Sequence, residues 1–258
     1  MNLNPDFLRE HIKIARLAGQ EILKIYESSD IDVEYKSDDS PITQADKKSH
    51  ELIKSELTKL SPDTLLFSEE GKFIEYKDRK DKDSFYLVDP LDGTKEFIKR
   101  SGEFTVNIAL IVNQKPVLGV IYVPVQDEMY YAVQGHGAFK QEGQSDPVRI
   151  QVNNSVTDQG FVVVESRSHG LEETENYLKQ YKIKDRVSRG SSLKFCLVAE
   201  GKAHIYPRLS PVWEWDAAAG HAIISEAGGK VTDPEGNNLL YNKELPKHNA
   251  FVASGNCI

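Results

Sequence analysis

Apolar residues near the start of the chain recur at helical spacing. Phe7, Leu8, His11, Ile12, Ala15, Ala18, Ile22 and Leu23 share one face and predict a long first helix. Ala45, Leu52, Ile53, Leu57 and Leu60 predict a second helix over 43–60, with Thr43 as its cap. The pattern then becomes that of strands. LLFS (65–68), FYLV (85–88), FTVNIALIV (104–112), PVLGVIYVP (116–124) and EMYYAV (128–133) read as strands, and NQKP and QDE as turns of an antiparallel meander. Between them EYKDRKDKDS (75–84) reads as a solvated loop without a functional role.

Beyond about Gly143, strands and helices alternate. FVVVES (161–166) is a predicted strand, 172–181 a helix, 191–201 a capped helix closing on a glycine, and 203–208 a strand. The helix predicted over 215–229 carries small residues suited to close packing. There is no internal repeat or low-complexity segment. The expectation is one compact unit of two αβ halves, 1–145 and 146–258, meeting near 140–155 with the active site between them.

Composition narrows the classes. The 258 residues are 39% hydrophobic and 28% charged, ordinary for a globular protein with a sizeable core. A net charge of -8 disfavours a nucleic-acid polymer as partner, which calls for a basic patch. An anionic small molecule remains compatible, because a bound cation inverts the local field. Cys196 and Cys257 suit neither a disulfide framework nor a zinc site, and Cys196 is expected to be buried and inert. The N-terminus reads as a helix rather than a signal peptide. The apolar stretch 104–125 is broken by Asn107, Asn113, Gln114, Lys115 and Pro116, so no stable membrane insertion is expected. The default expectation is a reducing, cytoplasmic setting, with peripheral contact at the inner membrane and the oligomeric state left open.

The chemistry lies in acidic residues at the edges of apolar elements. Asp46 falls in the first turn of the second helix, Glu69 and Glu70 follow LLFS, Asp89 and Asp92 follow FYLV, and Asp216 opens a helix of small residues. Singly, each has a bland reading. Asp46 and Asp216 favour a helix dipole, Glu69-Glu70-Gly71 makes a polar turn, and Asp89-Pro90 and Asp92-Gly93 make turn residues. The pair Asp89 and Asp92 is different, because two close carboxylates repel unless a cation shares them. Mg²⁺ takes few carboxylates and completes its shell with water and substrate phosphate. The three-residue gap also disfavours the haloacid-dehalogenase phosphatases, whose Asp-x-Asp-Gly-Thr motif has a gap of two.

Glu69-Glu70, Asp89-Pro90-Leu91-Asp92-Gly93-Thr94 and Trp215-Asp216-x-Ala218-Ala219-Gly220 resemble the three signatures of the lithium-sensitive, magnesium-dependent inositol monophosphatase superfamily. Order and separations match over nearly the whole chain. DPLDGTKEFIKRSGEFTVNIALI, GSSLKFCLVAEGKAHIYPR and WDAAAGHAI resemble more closely its bacterial 3'(2'),5'-bisphosphate nucleotidase branch. The inositol phosphatases typically show Asp-Gly-Thr-Thr-Asn-Phe where this chain has Lys95-Glu96-Phe97.

The resemblance implies an α+β fold, the layered αβαβα sandwich. It implies Glu69, Asp89, Asp92, Asp216 and the Leu91 carbonyl as ligands of two or three Mg²⁺ ions, with Glu70 in support. Thr94 and Asp46 would orient and deprotonate the attacking water, with Glu69 among the catalytic groups. The implied substrate is 3'-phosphoadenosine 5'-phosphate or its sulfated relative, held on the Gly93-Thr94 side and by Ser191, Lys194 and Arg208. Gly190 to Lys194 is expected to open a helix with free N–H groups for a second anion, although serine caps and a surface arginine explain the same residues. Ser166 and Arg167, in a turn with Ser168 and His169, are further pocket candidates. His221, Trp213, Trp215 and Phe104 read as packing residues. An inositol or sugar phosphate phosphatase, or a non-catalytic cation-binding protein, remains as an alternative.

Overall fold

Asn4 accepts from the Phe7 amide and starts helix α1 (Pro5–Tyr26). Thr43 and Asp46 form a capping box that starts α2 (Gln44–Leu60). The computed structural model describes residues 3–28, 32–36, 40–155, 158–166 and 171–256. Cys257 and the predicted turn residues Arg167, Ser168 and His169 lie outside them.

A short hairpin, β1 (Val33–Tyr35) and β2 (Pro41–Thr43), leads into α2. The first large sheet has seven strands in sequence order: β3 (Leu65–Ser68), β4 (Ser84–Asp92), β5 (Thr105–Val112), β6 (Lys115–Val123), β7 (Glu128–Val133), β8 (Ala138–Glu142) and β9 (Val148–Ile150). β3 runs parallel to β4, so the predicted antiparallel meander holds from β4 to β7, and it continues through β8 and β9, which the sequence pattern does not mark. Short helices α3 (Tyr76–Arg79) and α4 (Thr94–Ile98) flank β4. The segment 75–84 is therefore not all solvated loop, and Arg79 within it is fully buried.

The second large sheet contains β10 (Phe161–Glu165), β11 (Ile183–Ser188), β12 (Ile205–Arg208), β14 (Lys230–Thr232) and β16 (Phe251–Ser254), in the order β11-β10-β12-β16-β14. β13 (Val212–Trp213) and β15 (Lys247–His248) form a separate pair. The remaining helices are α5 (Leu171–Leu178), α6 (Leu193–Ala199) and α7 (Glu214–Glu226).

Strand alternation sorts the core into layers. Val106, Ile108 and Leu110 of β5 face the α1/α2 layer, whereas Ala109 and Ile111 face the cluster containing α6 and α7. In the second sheet Val164, Tyr206 and Phe251 join that inner cluster, while Val163, Ile205 and Val252 pack with Leu178 of α5. The result is the αβαβα sandwich. Its central layer is tight: a Cβ at Gly119 of β6 would lie 2.4 Å from the Ala219 carbonyl oxygen of α7. The small residues predicted over 215–229 serve this approach. Cys196 is buried, as are Trp215 and Phe104, while Trp213 stacks on Trp215. His221 bonds Tyr241 at 3.0 Å, as a packed histidine does.

Candidate active site

The inner face of the first sheet delivers the carboxylates. Leu65 and Phe67 of β3 point to the inner cluster, and Glu69 follows at the same parity. The Glu69 amide donates to the Val88 carbonyl at 3.0 Å, which ties this exit to β4. On β4, Phe85 and Leu87 face inward and Asp89 continues their row.

The strand does not stop at Val88. It runs to Asp92, with Asp89 opposite Asn107, Asp92 opposite Thr105, and an irregular register between them. Pro90 and Leu91 occupy that irregularity. The Ser49 hydroxyl donates to the Pro90 carbonyl at 2.7 Å, and the Leu91 amide donates to Asp89 Oδ1 at 3.1 Å. A bulge of this kind re-aims side chains beside a site. Gly93 then adopts φ 93°, where a Cβ would crowd the Glu103 carbonyl and Ser191 Cβ, each at 3.2 Å.

Asp216 sits in the first turn of α7, where its Oδ2 accepts the Trp213 amide at 3.1 Å. Layer packing brings it against the two strand exits. Ligand oxygens of Glu69, Asp89 and Asp216 all lie within 4.8 Å of one another. Asp92 stands beside this trio, and its Oδ2 accepts from the Ser192 hydroxyl at 2.7 Å and from Asn107 Nδ2 at 3.4 Å. Asp46 both caps α2 and faces the site. Its Oδ2 accepts the Thr43 amide and hydroxyl, and its Oδ1 accepts from Thr94 Oγ1 at 3.1 Å. Thr94 Oγ1 also lies 3.5 Å from the Leu91 carbonyl oxygen.

Burial raises the pKa of Asp89 well above the ordinary carboxylate range, and the charges of Glu69, Asp92, Asp216 and Glu70 push it further. Burial also raises Asp216 well above its usual value, reinforced by Asp92 and Glu69. For Asp46 burial again raises the pKa, opposed by the hydrogen bonds from Thr43 and Thr94. Lys36 answers part of this charge, with Nζ at 2.8 Å from Glu69 and 2.6 Å from Glu70. Burial disfavours its charge, but the glutamates outweigh that and raise its pKa. Sequence reasoning missed Lys36, because no motif marks it and tertiary folding alone sets its partners.

Beside the trio lies a cleft of about 250 Å³ whose walls include Glu69, Asp92, Gly93, Thr94, Ser166, Ser191, Lys194, Arg208 and Asp216. The expected helix opening at Gly190 is corrected. α6 begins at Leu193, Ser192 makes no side-chain cap, and Ser191 has φ 44°. Crossing to Asp92 engages the Ser192 hydroxyl, whereas Ser191 Oγ is buried without a hydrogen-bond partner among the described residues. Such an orphan costs about 1–3 kcal/mol unless a ligand satisfies it. Lys194 Nζ bonds the Ser191 and Arg189 carbonyl oxygens at 2.6 and 3.3 Å. Tyr206 and Phe251 also line the cleft and were not anticipated as site residues.

Oxygen donors, one buried and two half-buried, mutually repelling and partly answered by one lysine, suit a hard divalent cation. The Inositol monophosphatase family model matches residues 4–255. The chain belongs to that family. Over 236 residues it is 48% identical to the 3'(2'),5'-bisphosphate nucleotidase CysQ of Salmonella typhimurium, covering 91% of this chain and 93% of the relative. The crystal structure of CysQ from Bacteroides thetaiotaomicron superposes with a TM-score of 0.85 at 44% identity, covering 96% of each chain. An IMPase from Thermotoga maritima matches with a TM-score of 0.81 at 27% identity, over 98% of this chain and 93% of that one.

Proposed function

We propose that this chain is a Mg²⁺-dependent phosphohydrolase that removes the 3'-phosphate of 3'-phosphoadenosine 5'-phosphate, giving AMP and phosphate, and that it also accepts the sulfated analogue. The reaction clears a by-product of sulfate activation and sulfotransfer, which places the protein in sulfur assimilation. The observation that carries the reading is the meeting of Glu69, Asp89 and Asp216 beside a cleft that Ser191, Lys194 and Arg208 also line. A bisphosphate needs both an acidic end for its reacting phosphate and cations for its second anion.

Glu69, Asp89, Asp216, Asp92 and the Leu91 carbonyl would hold two or three ions, with Glu70 and Lys36 adjusting the charge around them. Bound there, Mg²⁺ supplies Lewis-acid polarisation of the phosphate ester, acidifies water and stabilises the leaving oxygen. The protein's own groups move the proton. Thr94 Oγ1 accepts a proton from the attacking water as its own passes along the existing hydrogen bond to Asp46 Oδ1. Burial strengthens Asp46 as the acceptor, and Thr43 holds its other oxygen. Water attacks phosphorus directly, the P–O3' bond breaks, the leaving oxygen takes up a proton from solvent water, and Asp46 returns the proton it received to solvent. No covalent phospho-enzyme forms.

The test is phosphate release from 3'-phosphoadenosine 5'-phosphate and from inositol 1-phosphate in parallel, with and without Mg²⁺. Faster turnover of the inositol ester would overturn the substrate assignment, and Mg²⁺-independent release would overturn the mechanism.

A further inference from the structure

Two members of the acidic trio sit on elements that no ladder joins, Glu69 at the exit of β3 and Asp216 in the first turn of α7, while Asp89 lies on β4 beside β3. A separate network, centred on two fully buried charges, links the elements that carry Glu69 and Asp216. Arg79, at the end of α3, is 0% exposed, and so is Glu214, the first residue of α7. The two charged groups bind the same segment, residues 242–244. Arg79 Nη1 donates to Asn242 Oδ1 at 2.8 Å, and Nη2 donates to the Lys243 and Glu244 carbonyl oxygens at 2.8 and 3.0 Å. Glu214 accepts the Asn242 and Lys243 amides at 2.9 and 3.2 Å. Asn242 closes the arrangement by donating to the Arg79 carbonyl at 3.0 Å, from a backbone at φ 63°.

A second contact path runs in parallel. The Arg79 guanidinium lies 5.3 Å from the centroid of the Phe67 ring, which meets Trp215 edge-on at 5.3 Å and 88°. Phe67 precedes Glu69 by two positions on the same face of β3, and Trp215 adjoins Asp216. Buried charges are a costly way to hold a loop, and apolar residues of equal volume do it at least as well. What charged, directional bonds add is a fixed geometry. Here that geometry bears on the spacing between two carboxylates that face each other.

We propose that Arg79 and Glu214 are positioning residues: gripping residues 242–244 between them, they fix α7 against β3 so that Glu69 and Asp216 hold the separation a divalent cation requires. This rests on the Mg²⁺-dependent reading of the site. Outer groups of this kind change metal affinity or activity by about 10–100-fold when altered.

The test compares the wild-type protein with Glu214→Gln, Arg79→Lys and Asn242→Gly, the last keeping the positive-φ backbone while removing the amide. Calorimetry on metal-stripped protein gives the Mg²⁺ Kd, thermal unfolding gives Tm, and kinetics with 3'-phosphoadenosine 5'-phosphate separate kcat from KM. For Glu214→Gln we expect Mg²⁺ binding weakened about tenfold, kcat lowered at fixed Mg²⁺ and restored by raising it, and KM for the nucleotide held. Asn242→Gly should show the same signature more weakly, and it carries the test should Glu214→Gln fail to fold. Variants with a lower Tm but a wild-type Mg²⁺ Kd would show a purely structural tether and overturn the inference. A wild-type protein that binds no Mg²⁺ would instead overturn the functional reading beneath it.

Discussion

The acidic and the basic groups around the cleft, its acidic and basic ends in a chemical sense, are built on opposite electrostatic plans. At the acidic end, Glu69, Asp89 and Asp216 crowd together, and burial and mutual repulsion raise their pKa values. At the basic end, Lys194 is anchored to backbone oxygens of the strained turn, and Arg208 Nε points to the Ser210 carbonyl at 3.4 Å. The acidic end awaits an outside charge, whereas the basic end is largely satisfied by its own chain and offers a pre-set surface. Changes at the acidic end should therefore abolish the chemistry, and changes at the basic end should only shift affinity.

The largest effect is expected from Asp89→Asn. Removing a ligand from a buried set should cut Mg²⁺-dependent phosphate release at least about a hundredfold. It also removes a buried charge from among like charges, so the metal-free variant should melt above the metal-free wild type. Unchanged activity would contradict the ligand role. Next comes Thr94→Ala, expected to lower kcat about a hundredfold, as loss of a positioned proton-transfer group does. Its Mg²⁺ Kd should stay at the wild-type value, and weakened metal binding would place Thr94 among the ligand supports instead. At the basic end, Ser191→Ala should raise KM about tenfold with kcat held, the worth of one hydrogen bond to an anion. An unchanged KM would show that the orphaned hydroxyl meets no substrate atom.

That same contrast explains how much could be read from sequence. The acidic end was legible because its carboxylates sit on strand exits and helix starts, within short contiguous motifs. α1, α2 and the strands β4 to β7 announced themselves through apolar period. The short strands β8 (AFKQE) and β11 (IKDRVS) did not, because charged residues interrupt their alternation. β13, β14 and β15 are two or three residues long and carry no period at all. Lys36 and Arg79 stayed hidden for another reason. Each looks like a solvated charge until folding brings up its partners, Glu69 and Glu70 for one and residues 242–244 for the other. A charge run hides a buried arginine because nothing local distinguishes it from Lys80 or Lys82.

The smallest predicted effect concerns Lys194, and it separates binding from stability. Burial lowers its pKa to about 8, against which the Asp92 charge acts only in part. As pH rises through 8 the folded protein loses this cation, so KM for the bisphosphate should climb a few-fold between about pH 7 and 9. The stability contribution has the opposite sign. Between about 8 and the ordinary lysine value of 10.5 the unfolded chain holds a proton that the folded chain has released. Stability then rises with pH across that window, because a neutral amine is easier to bury. Lys194→Met isolates both effects, since it keeps the length and removes the charge. Its KM should be raised at pH 7 and flat to pH 9, and its excess in Tm over wild type should shrink between about pH 8 and 10.5. A wild-type KM that stays level through pH 8 while that of Lys194→Met is unchanged would remove Lys194 from the anion site and leave it a lysine that only braces the Ser191 turn.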